Sequence, residues 1–477
     1  MTPSLVWPTT LACTVALIAS TLHAETAAGA ERLPSLPALF AEALAHDAVL
    51  SSTRLEARAR GEEVPKARAG LLPRLDASYG YSYTESDNIY TDGDLTACIN
   101  NPDTGEPAGG EDYAQRCAGY STDQTRRLQL TQPLFSMERF RKLDKARAIR
   151  QAALEEIAVA ERDLALELAK TYMNAFYASR RIELLKAKTR ALTLQVRQAK
   201  RAFELGIGDR IDLLAAQASL DQTRADQAEG HNDLDDALSH LTRLTGVRPD
   251  FDRVALKDIT SLDLPAPKPL ETLSQRIANN ADVRLAQKNQ QVARKDTHVR
   301  EASYYPEVSL NLSYQNRDSD DPYRDSTDKS ASVQANLNLF MGGYTQADIR
   351  QGELRQRASQ AELGNARRTA YEQLVQYHRR LDTDAQRLRA LARSITSSRT
   401  YLEAADKGAA LGIRDLVDVL DARATLFDQR IQYVDGVRQL VMDRLNLAAA
   451  TGALDTHALR DVMALLERIT GPAPDRT

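Results

Sequence analysis

Two hydrophobic periodicities alternate along the chain. One has period two. Leu75, Ala77, Tyr79, Tyr81 and Tyr83 alternate with Asp76, Ser78, Gly80 and Ser82. Val308, Leu310, Leu312 and Tyr314 alternate with Ser309, Asn311, Ser313 and Gln315. Val333, Ala335, Leu337 and Leu339 alternate with Ser332, Gln334, Asn336 and Asn338. A fourth segment, Leu128 to Phe135, alternates less cleanly and contains Pro133. Successive side chains on a strand point to opposite faces. These segments therefore predict strands near 74–86, 124–135, 306–317 and 330–340. Polar loops at 87–121 and 319–328 join them in pairs.

The other periodicity is helical. Leu143, Ala146, Ile149, Ala153, Ile157, Ala160, Leu164 and Leu168 recur at a mean step of about 3.6 residues. Proline is absent from 134 to 248 and from 323 to 471, and no glycine lies between Ser136 and Leu205. A helix of that span would be about 100 Å long at ~1.5 Å per residue. Many of its seam positions are alanine, which lets neighbouring helices approach closely.

The two patterns occur twice, in the same order. From Leu205 and from Leu411, nine of sixteen positions are identical, including Leu-Gly-Ile and two aspartates three residues apart. Pro73 has a counterpart in Pro306, Phe135 in Phe340, and Gly246 in Gly452. The offset shrinks from 233 to about 206 across the first hairpin, so the first copy carries an insertion of roughly 28 residues in 87–121. We expect a first repeat over 31–246 and a second over 271–455. Between them, 247–270 holds Pro249, Pro265, Pro267 and Pro269 and reads as a linker. Residues 456–477 remain as a C-terminal tail.

A half-wet antiparallel sheet on a soluble core would also alternate. Here its only packing partners are long helices that use their apolar seams on one another. Segments of about ten residues with tyrosine on the apolar face fit lipid-facing barrel strands. In lipid every backbone group must pair, so the sheet must close. Four strands are too few, since the smallest single-chain outer-membrane barrels have ~8. At least two copies must share one barrel, and this argument does not choose between two, three or four.

Composition adds compartment. With 62 basic and 66 acidic residues, net charge −4, nothing favours nucleic acid. The run "LACTVALIASTL" followed by "LHA" resembles a signal peptide over 1–24, with a second cleavage point at 30. The mature chain then keeps Cys98 and Cys117, both in the insertion. They are either one disulfide or two free thiols. No phosphate loop, dinucleotide glycine pattern, HExxH or Cys-x-x-Cys is present, and the seven histidines stand singly. We expect no enzyme activity, no cofactor and no dedicated metal site.

On these residues, "GIRDLVDVLDA" at 412–422 and "LTQPLF" at 130–135 above all, the chain resembles the TolC family of outer-membrane export channels across about 35–455. The resemblance implies a homotrimer with a twelve-stranded barrel in outer-membrane lipid and an α-helical tunnel through the periplasm. It implies docking to a periplasmic adaptor and to an inner-membrane ABC, RND or MFS translocase, in drug efflux or type I secretion. The competing reading is a soluble periplasmic helical-hairpin protein of structural or adaptor type.

The two Leu-Gly-Ile turns, at Gly206 and Gly412, would be the tunnel tip. Asp209 and Asp415 stand where a carboxylate caps the return helix. Asp212 and Asp418 follow within the first turn, where negative charge suits the helix dipole. Asp421 lies one turn further, where the first copy has Ala215. The resemblance places Asp418 and Asp421 at a constricted mouth, as acidic rings that would bind cations weakly. The alternative is a solvated acidic face. The resemblance also pairs Arg414 with Asp212 of a neighbouring chain as a link holding the mouth shut. Ala409 stands where the family has a tyrosine that takes part in closure.

Overall fold

The computed structural model describes residues 33–86, 119–257, 267–319, 325–411 and 413–472. The expected signal peptide, Cys98, Cys117 and Gly412 lie outside them.

Three short helices lead in: α1 (Leu36–His46), α2 (Ala48–Gly61) and α3 (Glu63–Ala69). A hairpin of β1 (Arg74–Ser86) and β2 (Gly119–Ser136) follows. Then come α4 (Met137–Glu204), of 68 residues, and α5 (Arg210–Thr245), of 36. A linker carries β3 (Val254–Leu256) and α6 (Leu270–Ser274). The second repeat has α7 (Ala281–Glu301), β4 (Glu307–Ser319), β5 (Ser326–Asn336), α8 (Tyr344–Ala410) and α9 (Leu416–Ala450). The described chain ends with α10 (Thr456–Ile469) and β6 (Thr470–Pro472).

The long strands form one antiparallel sheet in the order β1-β2-β4-β5. The helices dictate that order. Toward the sheet, α4 packs on α2 and α3 on one side and on α7 on the other, and α7 packs on α8. α3 feeds β1, β2 feeds α4, α7 feeds β4 and β5 feeds α8, so the strands inherit the helix sequence. Away from the sheet, α4 packs on α5 and α9, and α8 on α9. Every level of the protomer is thus four elements wide.

The helix junctions are fixed by local chemistry. Ser136 Oγ accepts from the Arg139 amide at 3.4 Å and starts α4 directly where β2 ends. Arg139 then donates to Glu307 at 2.9 Å and to the Gly70 carbonyl at 2.7 Å, tying the base of the sheet to α3 and β4. Gly452 ends the second repeat at φ +64°, where a Cβ would lie 2.2 Å from the Asn279 oxygen, so only glycine fits.

The core lies midway along the helices, where α1, α4, α5, α8, α9 and α10 meet. Tyr172, Phe176, Leu168, Leu241, Leu374, Val437 and Leu466 are completely buried there. Tyr172 donates to the Pro34 carbonyl at 2.8 Å and meets Phe251 edge-on at 5.0 Å. Burying each such side chain is worth ~1.5–3 kcal/mol.

Three expectations need correction. The segment 456–477 is not a simple tail: α10 buries Leu459, Val462, Leu465, Leu466 and Ile469 in this core. Its i, i+3, i+6, i+7, i+10 spacing was readable. The linker 247–270 is not wholly loop, because β3 pairs with β6 from the far end of the chain. The fourth strand spans Ser326–Asn336 rather than 330–340. It ends at Asn336 because that residue pairs with Glu307, the first residue of β4, and beyond it the chain offers no partner.

Candidate functional site: the sheet faces and the tunnel tip

The register sorts the sheet into two faces. Leu75, Ala77, Tyr79, Tyr81 and Tyr83 of β1 stand on the same side as Leu128 and Leu130 of β2 and Leu310, Leu312 and Tyr314 of β4. Ala331, Val333 and Ala335 of β5 continue that side. The opposite face carries Asp76, Ser78, Gly80, Arg127, Gln129, Asn311, Ser313, Gln315, Ser330 and Ser332. Among the described residues nothing packs on the apolar side: Leu75, Tyr79, Tyr81, Tyr83 and Val333 are each more than 60 % exposed. A soluble sheet would bury this face, so a nonpolar medium must cover it. With 13 residues in β1 and in β4, the strands have the length to cross a bilayer at a tilt. Among the described residues no helix is long and apolar enough to cross a membrane.

At the other end, two helical hairpins turn side by side. Gly206 has φ +72°, which a side chain would resist. Asp209 Oδ1 accepts from the Ile211 amide at 3.2 Å and caps α5. Asp415 occupies the equivalent place before α9, yet its side chain makes no capping hydrogen bond. Water serves the first amides of α9 at this exposed end. Asp212 titrates above the ordinary aspartate range, first because of partial burial, then because Asp209 and Asp415 are near. The two turns thus gather three carboxylates within one chain.

Arg414, in the turn before α9, donates to Asp418 in the first turn of that helix at 3.1 Å. It lies across Gly408, where a Cβ would be 2.9 Å from Arg414 Cγ. Within a single chain it does not engage Asp212. Asp421 is exposed one turn beyond Asp418. Arg423 reaches Asp406 at 3.3 Å and ties α9 to α8. Ala409 packs beside Ala405, Val419 and Ala422. Leu205, Ile207, Leu411 and Ile413 project from the turns, each more than 70 % exposed. Among the described residues no cluster of His, Cys, Asp and Glu could hold a metal ion.

Sequence reasoning missed two polar features of the helical wall. Arg180 is 2 % exposed and donates to the carbonyls of Phe251, at 2.6 Å, and Val254, clamping the linker onto α4. Asp384 on α8 and Asp443 on α9 form a carboxyl pair, with Asp443 2 % exposed. Both depend on contacts between distant segments, and no local signal marks them.

A sheet with one greasy and one wet face, prolonged by long helices and ending in an exposed tip, defines a barrel-and-tunnel channel of the outer envelope. The chain belongs to the outer membrane efflux protein family, whose model it matches over 39–247 and 272–453. It is 25 % identical over 441 residues to the outer membrane protein TolC of Vibrio cholerae, covering 91 % of this chain and 94 % of that one. It is 27 % identical over 420 residues to the alkaline protease secretion protein AprF of Pseudomonas aeruginosa, covering 86 % and 82 %. The Campylobacter jejuni CmeC outer membrane channel shares the fold at a TM-score of 0.72 and 16 % identity, over 92 % of this chain and 90 % of that one. The protein is an outer-membrane export channel, and the soluble adaptor reading gives way to it.

Proposed function

We propose that three copies close one twelve-stranded barrel and continue it as a helical tunnel across the periplasm, forming a passive duct for drugs or secreted proteins. The observation that carries this is the four-stranded sheet whose apolar face is uncovered and whose edges, β1 and β5, are unpaired among the described residues. Two copies would give eight strands, an interior that side chains fill. Three give a lumen, and the four-wide helical levels extend the same wall downward. The energy for transport comes from partners: an inner-membrane translocase of ABC, RND or MFS type, joined through a periplasmic adaptor. The exposed Leu205, Ile207, Leu411 and Ile413 give that adaptor an apolar tip to grip. At the mouth, Asp418 and Asp421 form two acidic rings, and Arg414 exchanges its own Asp418 for Asp212 of a neighbouring copy when the mouth shuts. Native mass spectrometry of the detergent-solubilised protein tests the stoichiometry. The mass expected is three mature chains, and a dimer or monomer would overturn it.

A further inference from the structure

The apolar side of the sheet changes character along its length. Paired residues across β1, β2, β4 and β5 form rows. Counting outward from the helices, one row holds Leu75, Leu130, Leu312 and Ala331. The next holds Ala77, Leu128, Tyr314 and Lys329, and the one after it Tyr79, Arg126, Asn316 and Thr327. Nearer the helices the rows on this side carry no charge. Lys329 and Arg126 are therefore the first charges met, and both are cations. Lys329 Nζ lies 6.0 Å from the centroid of the Tyr314 ring. Among the described residues neither cation has an ion-pair partner. Asp318 stands one row beyond Arg126, opposite Gln124, and pairs with neither.

A cation on a lipid-facing strand is costly near the bilayer midplane and tolerated where its long stem lets the charge reach the headgroups. The two cations thus mark the outer edge of the apolar band. Just on the helix side of Lys329 the same face holds a hollow of about 400 Å³. Leu75, Leu128, Leu130, Leu312 and Ala331 line it, and Tyr314 and Lys329 stand at its outward end. Arg126 is two strands and two residues from Lys329, about 12 Å between Cα atoms at ~4.8 Å per strand and ~3.3 Å per residue. Both side chains are long enough to meet one headgroup across that gap. A free anion would leave the hollow empty. A neutral alkyl chain would leave the cations without a counter-charge.

We infer that this hollow seats an acyl chain of an anionic, phosphate-bearing lipid of the outer leaflet, with Lys329 and Arg126 holding its headgroup phosphates. This rests on the proposed barrel, with the helices on the periplasmic side. The aliphatic rows take the chain, the Tyr314 ring steadies the ammonium of Lys329 beside it, and Arg126 offers the forked donors that suit a phosphate. The site differs from general lipid contact in requiring both parts, the charge pair and the hollow.

Native mass spectrometry of the delipidated protein in detergent, titrated with diphosphoryl lipid A, tests this. The native chain should hold lipid A at concentrations where zwitterionic phosphatidylethanolamine and inorganic phosphate give no adduct. Replacing both cations, Arg126→Gln with Lys329→Gln, should weaken the lipid A adduct about tenfold or more, the loss expected of charge-assisted contacts. Ala331→Trp, which fills the hollow and keeps both charges, should weaken it as well. Arg127→Gln, beside Arg126 but on the wet face, should leave it unchanged. The same spectra give the oligomer, so each variant is compared as assembled protein, and the two single glutamine variants serve if the double one does not assemble. Equal adducts in all variants, or equal retention of phosphatidylethanolamine, would mean unselective lipid contact and overturn the site. Competition by inorganic phosphate, or full binding in Ala331→Trp, would overturn the acyl seat and the proposal with it. A trimer with unselective lipid removes this site and leaves the barrel standing, whereas a monomer or dimer removes the barrel itself.

Discussion

At the scale of single residues, the wall carries buried charge where a passive duct would not need it. Arg180 is explained by its partners, since it donates to the linker carbonyls of Phe251, which Ser179 Oγ also reaches at 3.5 Å, and Val254. The Asp384–Asp443 pair is different. Burial pushes the Asp384 carboxyl up to about 6, and the charge of Asp443 and a hydrogen bond to it push in the same direction, against Arg387 and Arg380. Gln439 donates to Asp443 at 3.2 Å, and Arg380 stands 3.8 Å from it. The folded protein therefore holds this proton more tightly than an unfolded chain, whose aspartate titrates near 3.8. A folded-state value raised for an acid means that stability is greatest at low pH and falls as pH rises from about 4 to about 6. Because the group is half exposed, solvent screening leaves a change of ~1 kcal/mol. Thermal unfolding followed by circular dichroism between pH 4 and 8 should show that decline in the native protein. In Asp384→Asn it should be flattened, with a higher midpoint at pH 7. An unchanged profile in the variant would mean that the pair does not share a proton.

At the scale of elements, the strands and long helices were legible because their periods are local. Period two at Leu75–Tyr83 needs no knowledge of the partner strand, and neither does the step of about 3.6 from Leu143 to Leu168. What escaped depends on distant pairing. β3 is three residues long and exists only because β6 reaches it. β5 stops at Asn336 because its partner begins at Glu307. The sequence offers the Asp209 and Asp415 caps equally, and the structure forms only the first. The apolar spacing of α10, Leu459, Val462, Leu465, Leu466 and Ile469, is as local a signal as that of the long helices. The two sheet faces allow a test at this scale. Leu312→Lys places a charge on the apolar side, at ~2–4 kcal/mol near the bilayer midplane. Ser313→Lys places it on the wet face, where water screens it. The first variant should sharply lower the yield of assembled, heat-modifiable oligomer in outer-membrane fractions, and the second should leave it near normal. Equal yields would mean that the apolar face does not meet lipid.

At the scale of the whole molecule, the tip decides how an open-ended duct is kept from leaking. In the proposed twelve-stranded barrel the described residues of the inner face are polar and line a wet lumen rather than seal it. In the proposed channel control falls to the helical tip, where Ala409 is half-buried against Ala405, Val419 and Ala422 and offers no bulky side chain. Closure is left to charge. Within one chain Arg414 neutralises Asp418 at 3.1 Å, while Asp421 stands exposed with no counterpart in the first repeat. In the proposed trimer the free carboxylates of Asp421 form the stronger cation site of the two rings, since each Asp418 already has a guanidinium. In planar bilayers, divalent cations should inhibit single-channel conductance of the native protein, and Asp421→Ala should relieve that inhibition about tenfold or more, as loss of a charge-assisted site worth ~1.5–3 kcal/mol requires. Arg414→Ser should act in the opposite sense on block, because it unmasks the Asp418 ring. If the arginine also bridges to Asp212 of a neighbour, the variant should raise the open fraction in the absence of divalent ions. Block that is identical in native protein and Asp421→Ala would leave the aspartates as an ordinary solvated face, and closure would then have to come from packing at the convergent helices.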